Sequence, residues 1–202
     1  MNALRQSHDA SRAPSGARES LRDATAAQHA QVDSAFPDGL GTPQAYARYL
    51  RGMHRFALEF ERATGHTPRH SRWLARDLAA VGLAPLPVLQ PQPPVRDADT
   101  ATGWEYVMAG SSLGARYLVR AVRRLGHSAE HGACFLECHG TSDDWRQVQT
   151  RLAAFDVDDA PRLARLIGGA RDAFTLVAAC LARGSDPAPA QDTEEHALEP
   201  SP

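Results

Sequence analysis

The stretch from Thr100 to Leu125 admits few folds. Trp104, Val107, Met108, Ala115, Leu118, Val119 and Val122 recur at helical spacing, and no proline interrupts them. Two glycines, Gly110 and Gly114, sit inside this predicted helix, and Ala109, Ser111, Ser112 and Ala115 around them are small. A glycine in a helix interior costs about 1 kcal/mol relative to alanine. Residues four apart share a helix face, so one face is bare for roughly one turn. That leaves room for a kink. It also lets something lie directly against backbone, either another helix or a planar ligand.

The rest of the chain reads as helices too. Helix one is predicted over Arg18 to Phe36 and stops at Pro37-Asp38-Gly39. The next begins at Thr42-Pro43, an N-cap followed by proline at the first helical position, and runs to about Thr64 before Gly65. A third covers Ser71 to Val81 and ends at Gly82. Prolines 85, 87, 91, 93 and 94 then impose an extended linker. After the glycine-bearing helix come a short one over Ala129 to Cys138 and another over Trp145 to Phe155, capped by Ser142-Asp143-Asp144. The last runs from Asp159-Ala160-Pro161 to Arg183-Gly184. Alternating strand patterns are absent, so the expected class is all-α. At 202 residues one domain is expected, over 18–183. Residues 1–17 and the Pro- and acid-rich stretch 184–202 read as disordered flanks.

Composition narrows the function. A formal charge of −2 shows no basic footprint for nucleic acid. No run approaches the roughly 20 apolar residues of a membrane span, and the Met1 end has no signal-peptide pattern. Three cysteines are too few and odd for a disulfide framework, which suits a reducing, cytoplasmic setting. Cys134-x-x-x-Cys138-His139 has one residue more than covalent haem attachment uses.

The chemistry-bearing candidates lie in helix one. Leu21, Thr25, His29, Val32 and Phe36 fall along one stripe, so His29 is expected to face inward. Asp33, one turn on, is placed to accept a hydrogen bond from the second imidazole nitrogen, as the outer partner of a metal-bound histidine does. The blander reading is a boundary histidine satisfied by Asp33. Arg22 lies two turns before His29, either as a solvated arginine or as a carboxylate clamp. His54, His127, His131 and His139 show no metal-ligand spacing. An inward histidine, a bare helix face and basic rim residues together suit a flat anionic ligand with a metal, such as haem.

These residues carry a family resemblance. Leu21-Arg22-x-Ala24-Thr25-x-x-x-His29-x-x-x-Asp33 resembles the proximal-helix motif of haem (heme) oxygenases. Tyr106-Val107-x-x-Gly110-Ser111-x-Leu113-Gly114-Ala115 resembles the distal-helix motif of their bacterial branch, which includes the enzymes supplying biliverdin to bacterial phytochromes. Two further stretches agree: Trp73-Leu74-x-x-Asp77-Leu78-Ala79-Ala80-Val81-Gly82, and Trp145-Arg146-x-Val148 with Leu152. The similarity spans about residues 18–183. It implies a helical bundle with haem sandwiched between a proximal and a glycine-bearing distal helix. By resemblance, His29 is the iron ligand, Asp33 orients it, and Gly110 and Gly114 pack over the ring. Arg22 and Arg146 fall where the family places propionate contacts. Thr25 and Tyr106, inside the two motifs, count among the haem-binding positions. Thr150 stands where animal members carry a third basic residue. Ser111 stands where they carry an aspartate that organises water, so the hydroxyls of Ser111 and Ser112 are expected to take that part.

The implied activity is opening of haem b, both substrate and cofactor, to biliverdin, carbon monoxide and ferrous iron. It needs O2 and an external electron donor: ferredoxin, a flavoprotein reductase or ascorbate. A bacteriophytochrome is the biliverdin acceptor the branch suggests. Two rivals stand beside it. One is a haem carrier or sensor with the same pocket and no turnover. The other is a haem-free helical hydrolase of the thiamin-degrading type, which would need a catalytic cysteine and glutamate near the pocket.

Overall fold

The computed structural model describes residues 16–88 and 92–185, and all eight elements in it are α-helices. They are α1 (Ala17–Ala24), α2 (Ala26–Asp33), α3 (Pro43–Thr64), α4 (His70–Ala80), α5 (Ala98–Arg124), α6 (Cys134–Thr141), α7 (Asp144–Ala153) and α8 (Ala160–Arg183). No strand occurs among the described residues; Ser128 and Gly132 form only an isolated bridge. Most of the flanks expected to be disordered, and residues 89–91 of the linker, lie outside the described residues. Ala17, placed in the N-terminal flank, instead opens α1 and is buried.

Local chemistry explains most boundaries. The Thr42 hydroxyl accepts from Ala45 N and Pro43 opens α3, which ends at left-handed Gly65 (φ 71°). Asp97 caps α5 by accepting from Thr100 N, and Asp159 caps α8 through Arg162 N. Two expectations fail. Helix one is divided at Thr25, where the backbone turns to φ −117°, ψ 10° and the hydroxyl bonds back to Leu21 O at 2.7 Å. Such back-bonding competes with regular helix and bends it. The short helix starts at Cys134, because the preceding residues form a tight turn through left-handed Gly132 (φ 79°). Its first amides are then capped by Asp77 of α4, whose two carboxylate oxygens accept from Cys134 N and Phe135 N.

The core runs along α3, α5 and α8. Phe56, Leu50 and Met108 are buried there with Leu166 and Phe174. Close approach needs small residues, but not the pair that stands out in the sequence. A Cβ on Gly103 would clash with the Leu166 carbonyl oxygen and lie 2.6 Å from Ala170 N; one on Gly169 would clash with Thr100. One on Gly52 would lie 2.8 Å from the Leu181 Cα. These glycines join α5 and α3 to α8. Arg162 and Arg165 of α8 close one end of the α5–α8 contact on Asp99.

Candidate functional site

Gly110 and Gly114 are not used for helix packing. A Cβ on Gly114 would meet nothing within 4 Å, and one on Gly110 would touch only the Trp145 ring at 3.6 Å, an ordinary contact. α5 runs unbroken through both. Leu113 (39% exposed) and Tyr117 (72% exposed), four residues apart on one side of α5, are two of the three large apolar residues left exposed among the described residues. Among the described residues the helix therefore presents a bare surface at Gly114, bordered at Gly110 by Trp145 of α7.

α2 stands apart from that surface. Both α2 and α5 pack on α8 and not on each other. At the α1–α2 junction the buried Thr25 faces the phenol of buried Tyr106, whose pKa burial pushes up. Tyr106 packs on Trp145 of α7 (centroids 5.7 Å), and Arg18 of α1 reaches the same indole.

His29 departs from the inward position expected of it. Its side chain is exposed, with one face against Phe174 of α8 (centroids 4.5 Å). The bend at Thr25 rotates the stripe of α2 away from that of α1, and α2 buries none of its residues. The expected His29–Asp33 hydrogen bond is not formed, and Asp33 is exposed. Arg22 is exposed and paired with Glu19 and Asp23. Arg146 is exposed and paired with Asp143 at 2.6 Å. Thr150 is exposed, its hydroxyl on Arg146 O. These surface pairs are held weakly in water.

Ser111 turns toward the protein. Its hydroxyl donates to Met108 O at 2.7 Å and lies 2.9 Å from His139 Nε2. Ser112 is buried with no partner for its hydroxyl. His139, one of the histidines without metal-like spacing, thus belongs to a polar cluster that sequence reading misses. Its ring is fully buried, with Nε2 3.1 Å from Met108 O. Burial and the neighbouring His70 push its pKa down to about 3. His70 Nε2 lies 3.3 Å from Asp144 Oδ2, and Arg69 donates to the same oxygen at 2.5 Å. Burial works against a charge on His70, yet hydrogen bonding to Asp144 and Glu61 raises its pKa overall. Asp144, expected as part of a helix cap, instead makes these contacts, and α7 has no side-chain cap bond. The three residues come from α4, α6 and the start of α7, so no linear spacing announces them.

A cavity of about 530 Å³ borders this cluster and is lined by Phe60, His66, Arg69, Glu105 and Arg151 among others. Neither His29 nor the two glycines line it; it lies beside Met108 and Ala109 of α5. No described helix is long and apolar enough to cross a membrane.

No family model and no curated protein matches the chain. Among solved structures, the NO- and CO-bound heme oxygenase from Neisseria meningitidis superposes with a TM-score of 0.66. The match covers 90% of this chain and 98% of that one at 23% identity. The chain has the all-α fold of a bacterial heme oxygenase.

Proposed function

We propose that this protein is a haem oxygenase that binds haem b between α2 and α5 and opens it to biliverdin, carbon monoxide and ferrous iron. The observation that carries this reading is the uncovered glycine face of α5. Two glycines weaken a long helix, and at Gly114 no protein atom requires the missing side chain. The residues fit the group. Among described residues neither ring nitrogen of His29 has a hydrogen-bond partner, so an exposed imidazole is available to iron. Leu113 and Tyr117 offer apolar surface to a macrocycle, and Arg22 and Arg146 offer exposed guanidinium groups to propionates.

Bound haem would supply the iron that activates O2 and the ring that is cleaved. The chain's own residues supply the rest. His29 would hold the iron through its imidazole, and Asp33, one turn on along α2, would orient that ring. Gly110 and Gly114 would let the backbone of α5 lie directly against the ring. Ser111 donates its hydroxyl proton to Met108 O and meets His139 Nε2, which anchors α5 next to the glycine face. Tyr106 of α5 meets Thr25 at the α1–α2 junction and ties that bend to α5. The reductant is an external donor of ferredoxin, flavoprotein or ascorbate type, and a bacterial phytochrome is the proposed acceptor of the product. We place the reaction in the cytoplasm.

Hemin titration followed by ascorbate in air, with catalase present, tests this. A Soret band that forms and then gives way to the broad red absorption of biliverdin supports the oxygenase. A Soret band that persists with ascorbate and also with a ferredoxin–reductase couple makes the protein a haem carrier or sensor. No Soret change refutes both.

A further inference from the structure

We propose that His70, His139 and Asp144 form a binding site for a divalent transition-metal ion of the zinc class, separate from His29 and independent of the haem reading. One ligand atom from each lies within 4.8 Å of the other two. His70 Nε2 and Asp144 Oδ2 are 3.3 Å apart. That is close to the separation of roughly 3.4 Å between neighbouring ligands of a tetrahedral zinc with bonds near 2.1 Å. His139 Nδ1 is 4.0 Å from the same oxygen, so an ion at this point would draw all three ligand atoms inward.

Proton placement gives the second, independent argument. His139 Nε2 contacts Met108 O, an obligate acceptor, so the proton resides on Nε2. Nδ1 then carries a lone pair, and it is buried without any partner. An orphaned acceptor inside a protein is costly, and here it faces a histidine and a carboxylate. His70 repeats the pattern: its Nδ1 faces Glu61 Oε1 at 3.7 Å, turning Nε2 toward Asp144. Each histidine thus directs one nitrogen to a backbone or carboxylate oxygen and the other to a shared point, the outer-shell arrangement of metal-bound imidazoles.

Charge agrees. Arg69 is the cation now at that point, with Nη2 2.5 Å from Asp144 Oδ2 and 3.1 Å from His70 Nε2. Its side chain is 47% exposed and can swing into solvent. A dication in its place balances Asp144 and Glu61. His70 and Asp144 also line the cavity of about 530 Å³, so a further ligand such as water could reach the ion from that side. Two imidazoles and one carboxylate favour zinc, cobalt or nickel over calcium and magnesium.

The test uses the full chain, freed of metal by chelation and without haem. Zinc titration by calorimetry should give one equivalent bound, and cobalt should give visible d–d absorption of low coordination number. Asp144→Asn and His70→Gln, each confirmed folded by circular dichroism, should weaken binding about tenfold or more. The Cys134→Ser/Cys138→Ser double variant and His29→Ala should bind as wild type. The proposal falls if wild type binds no zinc, if both ligand variants bind unchanged, or if binding vanishes with the thiols or with His29. Loss of haem binding in His29→Ala with zinc binding kept would separate the two sites.

Discussion

Single glycines show the difference between packing and function in this chain. Gly103 and Gly114 occupy the same helix, yet a Cβ at the first collides with α8 and at the second meets open space. Gly103→Ala should therefore lower the urea midpoint markedly, as overpacking of a tight contact does, by about 1–3 kcal/mol. Gly114→Ala should raise stability by about 0.5–1 kcal/mol, the helix-propensity gain at an exposed site, while weakening hemin binding. A Gly114→Ala variant that binds hemin as wild type would detach the glycine from ligand binding. The two differ by context that sequence does not carry: both read as glycine within a helical period, and only the partner helix separates them.

Elements were legible wherever a cap or a proline marks them. Thr42-Pro43 and Asp159-Ala160-Pro161 each open a helix where residue chemistry says they must. Asp97 was less visible, and Asp97→Ala should cost about 1 kcal/mol by leaving the Thr100 amide without its acceptor. Unchanged thermal stability in that variant would contradict the cap. The division of helix one was not legible, because Thr25 is compatible with a helix and only its back-bond to Leu21 and its place against Tyr106 turn the chain. That one bend goes with an α2 that buries none of its residues, His29 included. The His70–His139–Asp144 cluster was out of reach for another reason. Its members come from three helices, and a sequence shows metal-like spacing only when ligands share an element.

At the scale of the molecule, buried histidines set the response to acid. His139, held near 3, is neutral in the folded protein where the unfolded chain, at 6.5, is protonated. The unfolded state then binds more protons, so stability falls as pH drops from 6.5 toward 3, by about 1.4 kcal/mol per unit for this one group. His54 and His127, also lowered by burial, act in the same direction. Glu61 follows below 4.5: burial opposes its charge, but hydrogen bonds from His70, Ser71 and the start of α4 hold it at about 2. His70 is raised, so its contribution is complete below 6.5 and fades as pH rises through its folded value. Urea unfolding should show stability declining from pH 6.5 to 5, above the range where carboxylates dominate; a flat profile there would contradict the assignment. The same bundle places an exposed imidazole on α2 and a bare glycine face on α5, both carried by α8. The most direct test of that arrangement as a haem site is a hemin titration of wild type and His29→Ala, with and without added imidazole. Wild type should show a ligated Soret band that is lost or shifted in the variant and recovered with imidazole. An unaltered spectrum in His29→Ala would contradict it.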